Sequence, residues 1–344
     1  MLKDPISRRS AFRLAFSSAV GLGAAQGPAP SDRGIKLPMK QGSIRFAIIG
    51  DFGRGDRGQI ETAQRLVETQ KLFPFDLCIT TGDNIYGADT PSDMKRKFED
   101  PYKALIDAGV KFQAALGNHD NPNQRFYKPF NMGGNRFYTF RPPKGGEVRF
   151  FAIDSNYIDK EQTDWLEREL ASSTSDWKIP FFHHPLYSSG RMHGSALESR
   201  AVLEPLFVKH GVSAVFTGHD HIYERTKPQK GDIVHWVTGA AGSLRRGDAR
   251  GADFTAKAFD TDYHFMIAEI AADEMFFQAI SRAGDTIDTG VIRRVGSNSA
   301  VVAAPLPSPS GSPQPGSSGV KPLPPSPTPA ASTPASRPSP TPSF

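Results

Sequence analysis

The sequence predicts a layered α/β fold, and two observations carry that prediction. Short apolar runs alternate with helical patterns of charged and apolar residues across residues 43–294. Five of those runs end in an aspartate, an asparagine or histidines: Asp51, Asp83, Asn118 with His119, His183 with His184, and His219 with His221. In a sheet whose strands run side by side, such ends meet along one edge, which is where α/β folds build their sites. Chance surface placement does not align five polar tips in this way.

Taken in order, "SIRFAIIG" (43–50) reads as a strand and "QIETAQRLVETQKL" (59–72) as a helix. "FDLCITTG" (75–82) is a second strand, and "SDMKRKFEDPYKALIDAG" (92–109) a helix interrupted near Pro101. "KFQAALG", "EVRFFAID", "WKIPFFHH" and "VSAVFTGH" are further strands; "EQTDWLERELASS" and "ALESRAVLEPLFVKHG" are the helices separating the last three. From "DIVHWVTG" onward the pattern is nearly all strand. The loop "NPNQRFYKPFNMGGNRFY" (121–138) gives no placement, and there is no internal repeat.

Both ends read as non-globular. Residues 1–27 have a basic start, an apolar stretch and a small-residue exit, with Arg8 and Arg9 in "SRRSAF", which predicts a twin-arginine export signal and a periplasmic or secreted protein. Residues 297–344 hold 14 of the 29 prolines and predict a disordered Pro/Ser-rich tail. No other stretch is apolar for long enough to predict a membrane span. The net charge of +5 is carried by the ends, +3 in residues 1–27 and +2 in residues 301–344, leaving 28–300 neutral. A nucleic-acid binder concentrates basic charge on its folded domain, so the balance argues against that class. The single cysteine, Cys78, lies inside a strand and reads as a small buried apolar residue.

Asp, Asn, His and Tyr side chains without a thiolate suit iron, manganese or zinc. Seven residues offer themselves: Asp51, Asp83, Tyr86, Asn118, His183, His219 and His221. Seven is too many for one ion and enough for two when a carboxylate bridges them. Two ions ~3.5–4 Å apart can clamp the attacking and leaving oxygens of a phosphate ester.

"GDFG" (50–53), "GDNIY" (82–86), "GNHD" (117–120), "FFHHP" (181–185) and "GHDH" (218–221), in this order, resemble the five motif blocks of purple acid phosphatases, within the calcineurin-like metallophosphoesterases. The resemblance implies a four-layer αββα sandwich of two mixed sheets flanked by helices. It implies a short, mammalian-type architecture, although that form in animals usually has cysteine pairs and this chain has one cysteine. It implies that Asp51, Tyr86 and His221 hold Fe(III), that Asp83 bridges, and that Asn118, His183 and His219 hold a divalent partner (Fe2+, Zn2+ or Mn2+). Other metallophosphoesterases have Asp-x-His in the first block, whereas this chain has Asp51-Phe52-Gly53. Tyr86 replaces the missing imidazole, and a hard phenolate ligand favours a trivalent ion.

The resemblance also implies that His119 contacts the phosphate or leaving oxygen, that Asp120 orients the His119 ring, and that His193 stands on the substrate side. His184 occupies the variable position of His-x-Pro and reads as facing the substrate rather than ligating; His210, His235 and His264 read as structural. The implied activity is acid phosphatase hydrolysis of small phosphate monoesters, with a metal-bound hydroxide as nucleophile and His119 or His193 donating a proton to the departing alkoxide. The alternatives are a phosphodiesterase or nucleotidase using the same metals, and a non-hydrolytic di-iron binding or redox protein.

Overall fold

The run Ile44–Ile49 forms β1, and both of its faces are covered. Phe46 and Ile48 enter the core between two sheets, while Ala47 and Ile49 enter the layer beneath the helices. That double burial is why the run is apolar without alternation. The structure is a computed structural model that describes residues 33–145, 147–294 and 296. The chain divides into two units, Met1–Leu306 and Pro307–Phe344. The second unit, the export signal expected over 1–27 and the tail expected over 297–344 lie outside the described residues.

Asp56 caps α1 (Arg57–Leu72) by accepting from Gln59 N at 3.0 Å. The helix lays Ala63 and Leu66 on the sheet and returns the chain to β2 (Leu77–Thr80), where Cys78 is buried as expected. The helix expected over 92–109 is three pieces: α2 (Pro91–Met94), a π-helical turn (Lys95–Glu99) and α3 (Lys103–Asp107). Pro101 has no N–H to continue the ladder, so the chain breaks there. β3 (Lys111–Ala114) lies parallel to β2, itself parallel to β1, with Ile49 opposite Thr80 and Thr80 opposite Ala114. The three carboxyl ends therefore stand level.

The loop without a predicted placement forms two 3-10 turns, Pro122–Phe126 and Lys128–Phe130, and leads to the edge strand β4 (Tyr138–Phe140). β5 (Val148–Ala152), α4 (Lys160–Ser172), β6 (Trp177–Phe181), α5 (Leu197–Lys209) and β7 (Ala214–Thr217) follow, then β8 (Tyr223–Thr226), β9 (Val234–Thr238) and β10 (Thr255–Phe259). β11 (His264–Ala271), β12 (Glu274–Ser281) and β13 (Thr286–Arg293) then return the chain to the first sheet. One sheet has the order β13-β12-β11-β1-β2-β3 and the other β10-β8-β9-β7-β6-β5-β4, each mixing parallel and antiparallel pairs. Phe46 bridges them, packing edge-on against Phe150 at 5.2 Å and Phe216 at 6.1 Å. Leu166 and Leu170 of α4 with Leu203 and Phe207 of α5 cover Phe151 and Val215 on the far side. The architecture is α/β with two mixed sheets between helices.

The strands β4, β8 and β10 had no sequence signal, being three to five residues long and, in β8, polar at Glu224 and Arg225. Packing also begins upstream of Ser43: Leu37 is buried in the helical layer, and Lys36 N donates to Gln278 Oε1 at 2.8 Å. Among the described residues no helix is long and apolar enough to cross a membrane.

His235 on β9 is buried with neither ring nitrogen hydrogen-bonded, its ring against Tyr187 at 4.9 Å. Burial, with Arg200 adding to it, pulls its pKa down to about 3. The folded state keeps this ring neutral while the unfolded state protonates it below about 6.5. Stability is therefore lost as pH falls from 6.5 toward 3. His235→Phe is expected to gain on the order of 3 kcal/mol at pH 4 relative to its effect at pH 7, read as a denaturation midpoint at the two pH values. Equal effects at both would refute a neutral buried ring.

Candidate metal centre

The five polar strand ends meet at one place. One contact crosses between the sheets, His219 N donating to both carboxylate oxygens of Asp51 (3.2 and 3.0 Å), and one lies within the second sheet, Gly218 N donating to His183 O at 3.0 Å. Asp51, Asp83 and His219 all sit in the left-handed backbone region, at φ 55°, 50° and 71°. Non-glycine residues rarely hold that conformation, and three of them together mark a site where the fold imposes it. The glycine before Asp51, Asp83, Asn118 and His219 is explained by crowding. A Cβ on Gly117 would come 2.2 Å from Asp83 Oδ1, and one on Gly218 would come 2.4 Å from Asp51 Oδ2.

Two clusters share Asp83. In one, Tyr86 Oη lies 3.3 Å from Asp51 Oδ1 and 3.1 Å from His221 Nε2, and His221 Nε2 is 3.5 Å from Asp51. Ligand atoms of Asp51, Asp83 and His221 all lie within 4.8 Å of one another. In the other, His183 Nε2 is 3.0 Å from Asn118 Oδ1, 3.4 Å from Asp83 Oδ1 and 3.1 Å from His219 Nδ1. One nitrogen each of His183, His184 and His219 also lies within 4.8 Å of the others. Asp51, Asp83, His183 and His221 form the buried floor, Tyr86 and His219 are half-buried, and Asn118, His119 and His193 stand exposed above.

The donor set fits cations. His183 Nδ1 faces the Thr81 carbonyl at 2.9 Å, which can only accept, so the proton sits on Nδ1. Burial holds the ring neutral, far below its ordinary pKa, which leaves a lone pair on Nε2 pointing at two oxygens. At most one proton, on His219 Nδ1, lies among these four atoms. Burial and the charge of Asp83 raise the Asp51 carboxyl well above its ordinary value. Burial, and then the carboxylates Asp51 and Asp83, push the Tyr86 phenol strongly up. His219 is pulled down to about 2 by burial and by His183 and His184, and His221 to about 3 by burial and by Arg245 and Arg54. Lone pairs and like charges that burial forces together in this way are stabilised by positive charge.

The other expected site residues fall out as follows. His119 N donates to Asp83 Oδ1 at 3.0 Å and its ring lies 5.0 Å from that of Tyr86. The His193 ring centroid is 4.0 Å from that of His219. His184 Nδ1 meets Ser155 Oγ at 2.9 Å, and the residue lines a 610 Å³ cleft together with Asn118, Arg136, Asp154, Tyr157 and Leu197. His210 pairs with Glu167 at 3.1 Å, away from the centre.

Asp120 differs from its expected role. Its oxygens accept from Gly117 N (2.8 Å), Asn84 N (3.0 Å), Asn84 Nδ2 (2.9 Å) and Ile85 N (3.0 Å), and none of its hydrogen bonds reaches the His119 ring. It clamps the loop after β2 to the loop after β3, because the buried amides of both loops need an acceptor. Asp120→Ala strands three backbone N–H groups and is expected to cost about 3 kcal/mol or more in denaturant unfolding. A cost near zero would remove the clamp.

Three residues escaped the sequence reading. Asn84 ties the β2 loop to Ala115 O at 2.8 Å. Arg54 lies over the Tyr86 ring at 4.0 Å and donates to Ser243 Oγ at 2.8 Å. Asp220, between the two ligands of "GHDH", turns away from them to accept from Ser188 Oγ at 2.5 Å and Gly194 N at 3.1 Å, fixing the loop that carries His193. "GDN" and "GHDH" signalled Asn84 and Asp220 by adjacency, whereas nothing local ties Arg54 to residue 243.

The family model for the calcineurin-like phosphoesterases matches residues 44–223. Among curated relatives, purple acid phosphatase 17 of Arabidopsis thaliana is 26% identical over 249 residues, covering 63% of this chain and 73% of its own. Tartrate-resistant acid phosphatase type 5 of Oryctolagus cuniculus is 25% identical over 253 residues, covering 61% and 77%. Among solved structures, the purple acid phosphatase PPD1 from yellow lupin seeds superposes with a TM-score of 0.62 at 21% identity, over 80% of this chain and 58% of that one. GAP50, the anchor in the inner membrane complex of Plasmodium, does so with 0.64 at 23% identity, over 73% and 89%. With a family match over more than half its length and purple acid phosphatases among its homologues, the chain belongs to the calcineurin-like phosphoesterase family and is a hydrolase.

Proposed function

We propose that the protein is an acid phosphatase that hydrolyses small phosphate monoesters at a dinuclear centre of Fe(III) and a divalent ion (Fe2+, Zn2+ or Mn2+). The observation that carries this reading is the pair of lone-pair clusters sharing Asp83, one of them containing the phenol of Tyr86. Asp51, Tyr86 and His221 would hold the trivalent ion, Asn118, His183 and His219 the divalent one, with Asp83 common to both. When bound, such a pair supplies Lewis acidity toward the phosphate and lowers the pKa of a water nucleophile into the acid range.

The protein's own groups do the rest. The Thr81 carbonyl fixes the His183 tautomer, so that Nε2 faces the centre. His119 and His193, exposed at the mouth, are placed to deliver a proton to the departing alkoxide. Export follows from the paired arginines near the start and makes the working compartment periplasmic or extracellular.

The test is metal analysis and a visible spectrum of freshly purified protein, with a pH–rate profile on 4-nitrophenyl phosphate and bis(4-nitrophenyl) phosphate. Two metals per chain, a tyrosinate-to-iron band and acid-side turnover of the monoester are expected. Preference for the diester would replace the reading with a phosphodiesterase. A coloured protein inert toward both esters would replace it with a non-hydrolytic iron protein.

A further inference from the structure

The loops 188–194 and 243–251 form one rim on the His219–His221 side of the centre. Gly190 and Ala249 make an antiparallel bridge, Arg191 N donates to Asp248 O at 2.9 Å, and Arg250 N donates to Ser189 O at 3.4 Å. Buried carboxylates hold the rim from beneath, Asp220 as above and Glu224 through Ser189 N at 2.6 Å. The rim is tied to the centre where Arg245 N donates to His221 O at 3.2 Å and where the His193 ring meets that of His219. Arg54 joins it through Ser243.

The two loops carry four guanidinium groups, Arg191, Arg245, Arg246 and Arg250, with Arg54 beside them; the carboxylates that touch the rim are the buried Asp220, Glu224 and Asp248 and the half-buried Asp260, which accepts from Ala249 N at 3.0 Å. Among the described residues Arg54, Arg191, Arg246 and Arg250 form no ion pair, and the pair of Arg245 with Asp248 is long, at 3.8 Å. Residues 28–300 are neutral as a whole, so the exposed Arg191, Arg246 and Arg250 are a local concentration of positive charge without ion-pair partners among the described residues. The cleft on the other side has the opposite character: Arg136 is already held by Asp154 (3.1 Å) and Asp159 (2.9 Å), and Glu198 adds a further carboxylate.

We propose that the rim binds a second phosphate on the substrate, so that the preferred substrate is a small alcohol carrying two phosphates. One phosphate is hydrolysed at the centre while the other is held by the exposed guanidiniums of Arg191, Arg246 and Arg250. Planar guanidinium groups match phosphate oxygens in paired hydrogen bonds, and unmatched charge beside a site draws in anions. The substrate preference rests on the monoesterase reading above; the anion site itself does not.

The test compares fructose 1,6-bisphosphate with fructose 6-phosphate on the holoenzyme. Wild type is expected to favour the bisphosphate at least ~10-fold in kcat/KM, mainly through KM, with the advantage shrinking as salt rises. Arg191→Gln, Arg246→Gln and Arg250→Gln combined, or Arg246→Gln alone if the triple variant does not fold, are expected to reduce that ratio. A ratio near one in wild type, or one unchanged in the variants, overturns the proposal. Calorimetric binding of pyrophosphate against orthophosphate reads the same rim without turnover: a pyrophosphate preference reduced by the variants supports it, and none, or one the variants leave intact, overturns it. Should no monoester be hydrolysed while that preference stands, the monoesterase reading fails and the anion site survives.

Discussion

Asp83→Asn is expected to lower kcat/KM on 4-nitrophenyl phosphate on the order of 10³-fold or more and to leave less than one metal ion per chain. Asn is the informative substitution, because Asp83 sits at φ 50°, a conformation that Asn tolerates and Ala does not. An amide keeps an oxygen to accept from His119 N, which Asp83 Oδ1 now does at 3.0 Å, but it cannot supply the charge that two cations would share under the proposed reading. The metal-free proteins should respond in the opposite sense. The charge of Asp83 helps to raise the Asp51 carboxyl, so that without metal the two are mutually destabilising.

Metal-free Asp83→Asn is therefore expected to melt a few degrees above metal-free wild type, about 1 kcal/mol of relief. The pH dependence follows from the same shift. A folded-state pKa raised above the unfolded value means that the folded protein binds the proton more tightly, so Asp51 costs stability as pH rises from about 4 upward. Removing the neighbouring charge should flatten that fall. A variant that keeps two metals and full turnover would end the shared-carboxylate reading. One that loses stability even without metal would make Asp83 a structural residue.

Tyr86→Phe is expected to abolish the visible band of the iron-loaded protein and to weaken retention of that ion at least ~100-fold. Without metal the phenol is protonated, since burial and the carboxylates Asp51 and Asp83 all oppose its ionisation. A trivalent ion reverses that balance, so a tyrosinate signal should appear on ferric loading at pH 5, far below the ordinary value near 10. The Phe variant keeps the ring that Arg54 covers at 4.0 Å and that packs against His119 at 5.0 Å, so the loop should stay in place. Retention of colour by this variant would show that another group is the phenolate, and retention of iron without colour would show that Tyr86 supplies the band but is not needed to hold the ion.

Much of the centre was legible because Asp51, Asp83, Asn118, His183 and His219 each come just after a strand, with Tyr86 and His221 a few residues further on. "FAIIG", "CITTG", "QAALG", "IPFF" and "AVFTG" read as strands from their apolar content alone, and the polar residue after each is its local exit. Parallel pairing with level ends then brings Asp51, Asp83 and Asn118 together on one sheet and His183 and His219 on the other. Asp120 shows the limit of such reading. Its place after His119 suggested a partner for that ring, while its carboxylate is used up by backbone amides 35 and 36 residues away in the neighbouring loop and three residues away in its own. The interruption expected near Pro101 in the helix over 92–109 is where α3 separates from the turn before it, since proline lacks the N–H that the ladder needs.

The sequence by itself determined the layered α/β class, the apolar strands and the polar residue at each strand end, because these depend on periodicity and on neighbours in the chain. Only the tertiary structure decided that the His183 lone pair faces Asn118 and Asp83, that Arg54 reaches Ser243, and that loops 188–194 and 243–251 join into a cationic rim. The first two relations arise where the two sheets meet and the third between loops of the second sheet, all between residues from about 57 to 190 positions apart. Local pattern does not encode distances of that kind; side-chain packing between layers does.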